Sequence, residues 1–387
     1  MRDCILAAMP LISRRQGPIA VYGATGYTGR LVAAELAGAG ADLVLSGRNR
    51  RKLDALASEI EGEVAVREAT LQDRVSLNAL LADCAVVVDC AGPFAHYGEP
   101  VLAAAIETQT HYLDTTGEQP YMKLAFERYG ARAAEAEVAV IPAMGFDYVP
   151  GDMIASLTAE GLGELDELSV HYCWKGFVPS QGTARTALEI VSGGAVEWRE
   201  GEWVETGGET SAGSFEFPPP VGRQRMIHYP SGEQITVPHR IPTRNVRTTM
   251  NASAFGGERL ARVTALIGRP VGLAMRTPLK RLAGALISRL PEGPTPAQRE
   301  GMVWMIVCEA KRGEIQRRGV ISGKDVYGLT AAAVCRGAMI AAERSFDGRG
   351  ALAPSQAFDP KDFLESLDRF DVRWHVEGVE SPLPVEA

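Results

Sequence analysis

The sequence has no Cys-x-x-Cys pair. Its six cysteines, Cys4, Cys84, Cys90, Cys173, Cys308 and Cys335, are scattered through 387 residues. That spacing argues against a zinc ribbon or a dense disulfide framework and suits reduced thiols in a cytoplasmic protein. No apolar run approaches the roughly 20 residues needed to cross a bilayer. Positive charge is not in excess either: a net charge of −8 argues against nucleic acid as the main partner. There is no internal repeat and no low-complexity tract. None of the tyrosines is followed four positions later by lysine, so the Tyr-x-x-x-Lys pair that short-chain dehydrogenases need is absent. What remains is an ordinary composition, with mean hydropathy near zero and length enough for two domains.

The stretch from Ile19 to Arg48 carries the strongest local signal. Ile19-Ala20-Val21-Tyr22 reads as a buried strand, Gly23-Ala24-Thr25-Gly26-Tyr27-Thr28-Gly29 as a glycine turn, and Arg30 to Gly38 as helix. A second strand, Leu43-Val44-Leu45, ends at Ser46-Gly47-Arg48. Strand, glycine turn, helix, strand is the first half of a dinucleotide-binding unit. Gly23 permits the tight turn, Gly26 lets a pyrophosphate approach the backbone, and Gly29 lets the helix lie close to the strand. The amides of Gly26, Tyr27 and Thr28 are expected to face the phosphates, helped by the helix dipole.

The end of the second strand selects the cofactor. A carboxylate there would hold a ribose 2′-OH and favour NAD. No acid lies between Leu43 and Lys52; Arg48, Asn49, Arg50 and Arg51 stand there instead. A guanidinium pairs bidentately with phosphate oxygens, so the expected cofactor is NADP(H), with Arg48 as the main contact.

The alternation continues with helix over 49–60, strand 64–66, helix 75–81, strand 85–90, helix 99–107, strand 111–114, helix 121–136 and strand 138–141. Six strands with helical crossovers predict a doubly wound parallel Rossmann sheet over residues 17–150. Residues 1–16 read as a disordered or extra arm, with Met9 an alternative start. A second α+β domain with a mostly antiparallel sheet is expected over 151–325. Its signals are the strand-like 168–174, the helical 182–191, alternating runs such as Gln234-Ile235-Thr236-Val237, and one more strand at 302–309. Residues 326–387 begin with a long helix, and Phe363 to Trp374 are expected to return to the first domain.

One segment stands apart by charge. Arg259 to Leu290 holds seven basic residues and no acidic one. Within it Leu279, Leu282, Ala283, Leu286, Ile287 and Leu290 form one helical stripe. Such a helix covers its own core or rests on an anionic membrane surface.

Several of these runs together resemble the saccharopine dehydrogenase-like oxidoreductases, in particular the group that includes trans-acting enoyl reductases of glycolipid synthesis. The runs are Gly23 to Gly29, Ser46 to Arg48, Cys90 to Phe94, His111 to Glu118 and Gly145 to Gly151. Gly182-Thr183, Tyr327 to Ala331 and Pro354 to Phe358 extend the likeness over most of the chain. It implies a Rossmann domain, a second α/β domain and NAD(P) binding. Tyr148 stands where relatives often carry Ser.

The cofactor contacts expected are Gly23, Ala24, Thr25, Gly26, Tyr27, Thr28, Ser46, Arg48, Asn49, Cys90, Ala91, Gly92 and Pro93. His96, Tyr97 and Tyr148 are the candidate proton donors, and Asp114 and Asp147 are expected to brace loops. Cys90, without a basic neighbour, reads as inert, and no metal is expected. The reading is an NADP-dependent reductase acting on an unsaturated, enoyl or imine, acceptor that is a small molecule or lipid-linked. Its partners extend to peripheral membrane contact through 259–290 and a homodimer. The alternative is a protein that binds NADP(H) or handles lipid without turnover, marked by a sealed nicotinamide face.

Overall fold

The structure is a computed structural model that describes residues 17–192, 195–206, 211–254 and 284–377. The 1–16 arm and most of the basic 259–290 segment lie outside the described residues.

Seven strands form the first sheet, all parallel. They are β1 (Ile19–Tyr22), β2 (Leu43–Gly47), β3 (Ala65–Glu68), β4 (Val86–Asp89), β5 (His111–Asp114), β6 (Ala139–Ile141) and the late, two-residue Gly350–Ala351. The order is β3-β2-β1-β4-β5-β6, with Gly350–Ala351 outside β6. β1, β2 and β4 are buried along their whole length, as strands covered by helices on both faces must be. The chain cuts its helices with local caps. Asn49 Oδ1 accepts from the Lys52 amide at 3.1 Å and starts the helix Arg50–Glu59. Asp73 Oδ1 accepts from the Val75 and Ser76 amides and starts Arg74–Leu81. Each cap satisfies orphan amides of a first turn.

The second unit is built on β7 (Leu165–Lys175), followed by a small hairpin, β8 (Val196–Arg199) and β9 (Glu202–Glu205). Then come β10 (Ser211–Phe217), β11 (Gly222–His228), β12 (Thr243–Asn251), β13 (Val303–Arg312) and β14 (Ile315–Lys324). With β15 given to Gly350–Ala351, the last strand is β16 (Arg373–Val376). The second sheet runs β10-β11-β12-β7-β13-β14-β16. Its pairings are antiparallel except β12 with β7. The helix Val149–Ala159, buried throughout, leads from β6 onto this sheet and packs on β13 and β14. Val326–Ala341 lies against Tyr27–Gly38 of the first unit. Among the described residues no helix is long and apolar enough to cross a membrane.

Three local expectations change. Gln234 to Val237 is not a strand: it lies in the helix Glu233–Arg240, and all four residues are buried. The run alternates polar and apolar residues, but with both kinds buried in a helix the alternation does not mark a strand face. The helix placed at 99–107 begins at Phe94, directly after Pro93, and continues through Pro100 in its second turn. Arg373 to Val376, part of the tail expected on the first domain, pairs instead with β14 of the second sheet.

Candidate functional site

The strand order reverses between β1 and β4, and the crevice at such a switch point is where open α/β sheets bind ligands. A cavity of about 760 Å³ opens there. Gly47, Arg48 and Thr70 to Gln72, from the ends of β2 and β3, line one side. Tyr22, Gly23, Thr25 and Gly26 line the middle. Cys90 to Pro93, His96 and Tyr97 follow from β4, and Arg185, Leu188 and Gly284 close it from the second unit.

The glycine turn has the form its sequence dictates. Gly23 has φ +76°, a conformation that a Cβ makes costly. The helix Tyr27–Gly38 starts at Gly26 with no side-chain cap. The Gly26 amide does not face a ligand, which corrects the expectation for that group: it donates to Gly23 O at 3.0 Å and closes the turn. The open positions are the first-turn amides of Tyr27 and Thr28, which make no hydrogen bond with the described chain. An uncapped helix N-terminus beside an exposed glycine suits a pyrophosphate.

Arg48 is exposed at the cavity edge, with no hydrogen bond or ion pair among the described residues. It is near enough to Tyr22 to act on the phenol, which burial pushes up to about 12. A guanidinium with no acid to hold it is available for a 2′-phosphate. Arg48→Ala is expected to weaken NADPH binding about 10- to 100-fold, the loss of one or two charge-assisted hydrogen bonds, while NADH binding stays within about twofold. Parallel fluorescence titrations with the two cofactors check this, and equal losses would remove the 2′-phosphate role.

Some expected contacts have other work. Ala24 and Ser46 are fully buried beneath the turn, and Asn49 is the cap described above. Tyr27 sends its hydroxyl to Pro294 O at 2.7 Å and its ring edge onto Tyr327 at 5.2 Å. Its side chain therefore ties the turn to the second unit, leaving only its amide for a cofactor. Cys90 lines the cavity, but burial raises its thiol well above the ordinary range, which matches an inert group.

Among the candidate acids, His96 and Tyr97 do reach the cavity, on the first turn of Phe94–Glu107. Tyr97 is 45% exposed. Tyr148 does not reach it. It is fully buried and its hydroxyl donates to Gly117 O at 2.8 Å, so its aromatic ring is spent on packing. Asp114 braces its loop as expected: Oδ1 accepts the amides of Thr116 and Ala143, both at 2.9 Å, and burial pushes the carboxyl up to about 7. Asp147 makes no side-chain hydrogen bond with the described residues, and burial lifts it to about 6. It stands 3.5 Å from where a Gly117 Cβ would be.

Two residues were not singled out by their position in the sequence. Glu118 is 1% exposed, and its two oxygens accept the amides of Phe94 at 2.8 Å and Ala95 at 2.9 Å. Thr186 of the second unit donates to the same carboxylate at 3.2 Å. Glu118 therefore fixes the helix start that presents His96 and Tyr97. Arg185 brings a second guanidinium to the cleft and donates to Ser288 Oγ at 3.0 Å. Its signal was faint: Gln181, Arg185 and Leu188 share one helical face. Among the described residues no group of metal-ligating side chains comes together.

Comparison with known proteins agrees with this geometry. The family described as the saccharopine dehydrogenase NADP binding domain matches residues 19–141. A trans-acting enoyl reductase of Mycobacterium tuberculosis is 34% identical over 146 residues, 36% of this chain and 35% of that one. The human saccharopine dehydrogenase-like oxidoreductase is 29% identical over 192 residues, 44% of this chain and 45% of that one. The chain thus spans less than half the length of these relatives. The solved saccharopine dehydrogenase (L-Glu forming) of Saccharomyces cerevisiae superposes with a TM-score of 0.58 over 94% of this chain and all of that one. At 14% identity, that likeness shows the shared fold. Residues 19–141 therefore match the saccharopine dehydrogenase NADP binding domain, which gives NADP(H) as the cofactor, and the similar proteins carry the names saccharopine dehydrogenase-like oxidoreductase and trans-acting enoyl reductase.

Proposed function

We propose that the chain is an NADP-dependent reductase that delivers hydride to an enoyl or imine acceptor held between its two units. One observation carries this reading. The cavity does not stop at the phosphate cradle but continues past Pro93 to His96 and Tyr97, where Arg185 and Leu188 face it from the second unit. A binder without turnover would have its nicotinamide face sealed.

When bound, the nicotinamide supplies the hydride. The chain has to orient the acceptor and protonate the atom that gains charge. His96 and Tyr97 are placed for the second task because Glu118 holds the first two amides of their helix. The half-buried loop Cys90 to Pro93 forms the wall against which a ring can lie, and Asp89 Oδ1 fixes that loop through the Ala91 amide at 2.9 Å. The names of the relatives support the enoyl acceptor, and their partial coverage leaves the imine in the test. A cytoplasmic location with peripheral membrane contact belongs to the same proposal. It rests on the charge of 259–290 and on Leu286 and Leu290, which are 55% and 50% exposed. A lipid-linked substrate would follow from such contact, and self-association into a dimer completes the reading.

The test supplies NADPH with a panel of 2-enoyl thioesters and a panel of cyclic imines and follows NADPH absorbance. Consumption is expected with one panel, and Tyr97→Phe or His96→Gln should lower kcat about 100-fold, as loss of a general acid does. Saturable NADPH binding with no consumption by either panel would replace this reading with the one without turnover.

A further inference from the structure

The second sheet uses one face for the helix Val149–Ala159, which meets it at Gly319 through Thr158 and Ile154. The residues of β7, β13 and β14 that point the other way include His171, Glu309 and Arg318. Over this outer face the hairpin of β10 and β11 curls back. Arg318 on β14 reaches Glu216 O on β10 at 3.0 Å. Phe215 stacks on His171 with centroids 3.9 Å apart, and Arg318 lies over the same ring at 5.4 Å. Under the curl is a cavity of about 200 Å³. It is smaller than drug-sized pockets and has room for roughly six or seven waters, or one compact solute.

The polar groups in it are unevenly satisfied. Glu309 has Arg318 as its cation, at 3.4 Å. Glu167 accepts the Ser169 hydroxyl at 2.8 Å and has no cation among the described residues. Arg247, diagonal to Glu167 across the β7–β12 pairing, makes no hydrogen bond or ion pair among the described residues. The sheet thus presents to one small cavity a carboxylate and a guanidinium that have no ion-pair partner among the described residues. His171, 8% exposed, stands opposite Thr249, one pair beyond Arg247 on that face and on the side away from Glu167. One ring nitrogen is 2.7 Å from Thr249 Oγ1, and the other has no partner among the described residues. Burial and the two arginines push its pKa down to about 3, so the ring offers a hydrogen bond without a charge. His171 lines the cavity, so a ligand there would bond its open nitrogen.

We propose that this cavity is a second binding site, for a free α-amino acid. Arg247 takes the carboxylate, Glu167 takes the ammonium, and the open nitrogen of His171 adds a third contact. Phe215 and Met226 provide the apolar wall for a short side chain. The site lies on the face of the sheet away from Val149–Ala159 and shares no lining residue with the cofactor cavity.

A thermal-shift screen of the full chain against the standard L-amino acids at about 10 mM, followed by calorimetry, tests this. At least one amino acid should stabilise the protein. Its deaminated and decarboxylated analogues should bind about tenfold or more weakly, as expected when one charged contact is lost. Arg247→Gln and Glu167→Gln should each reduce affinity by a similar factor, Arg247→Lys should retain part of it, and circular dichroism of all three should match the parent. Three results would overturn the site: no amino acid shifting the transition, binding untouched by both neutralising variants, or binding abolished by Arg48→Ala, which would place the ligand in the cofactor cleft.

Discussion

A Gly29→Ala protein is expected to bind NADPH about 100-fold more weakly, or not measurably, and to lose about 1–3 kcal/mol of stability. A Cβ at Gly29 would sit 2.3 Å from Gly23 O, 2.9 Å from Ala24 Cα and 3.0 Å from Ala24 C. These are backbone atoms, so no side chain can swing aside. Either the helix Tyr27–Gly38 moves off β1 or the turn deforms. The atom struck is the acceptor of the Gly26 amide, the bond that closes the turn and aims the first-turn amides at the phosphates. The same helix provides a control of opposite sign. A Cβ at Gly38 meets nothing within 4 Å, so Gly38→Ala should leave affinity unchanged and add about 0.5–1 kcal/mol from helix propensity. Urea unfolding with NADPH titration on both proteins decides the matter. Near-parent affinity for Gly29→Ala would mean that the close packing of helix on strand does not shape the cradle.

The contrast between those two glycines shows how far sequence reading reaches. Gly29 could be given its role because the whole constraint lies within about ten residues: a strand, a turn and a helix whose geometry is local. The same holds for β1, β2 and β4, whose apolar runs are buried because both faces are covered, and for Arg48, which follows its strand directly. The site beyond the cradle depends on contacts distant in sequence. Glu118 acts on Phe94 and Ala95, 24 and 23 positions away, and Thr186 joins it from 68 positions on. Arg185 enters the cleft from the helix Gln181–Ser192, which follows the first strand of the second sheet. Glu118 carries no periodic mark that distinguishes it from a surface charge, and Arg185 only the faint helical periodicity of Gln181, Arg185 and Leu188. β14 was missed for the opposite reason. Its first half, Ile315 to Arg318, holds one apolar residue and no fully buried one, so no apolar run marks the strand. Tyr148 shows the remaining kind of error: within the Gly145 to Gly151 run it reads as a candidate proton donor, and its burial beside Met122 and Ile235 comes from separate elements.

Raising the pH from about 4.5 to about 8 should weaken the parent protein by up to a few kcal/mol more than a Glu233→Gln variant. Glu233 opens the helix Glu233–Arg240 and is 0% exposed. Burial pushes its carboxyl from the ordinary 4.5 up to about 8. Its surroundings agree with a retained proton. Tyr172 bears one phenolic hydrogen but contacts both Glu233 Oε1 and Asp147 O, the latter at 3.0 Å. If Glu233 is protonated, it donates to Tyr172 and Tyr172 donates to Asp147, and both contacts are satisfied. The sign follows from which state holds the proton. Between the two pKa values the folded protein is protonated at Glu233 and the unfolded chain is not, so unfolding releases a proton and stability falls as pH rises. Below about 4.5 both states are protonated and the penalty is absent; above about 8 it is complete. Glutamine presents an N–H to Tyr172 in place of the acid proton and cannot ionise, so the variant should lack this component of the slope. Asp114 and Asp147, raised by burial to about 7 and about 6, add slope of the same sign to both proteins and cancel in the difference. Urea unfolding free energies at pH 5 and pH 8 for the two proteins measure it, and parallel pH dependences would show that Glu233 is ionised in the folded state.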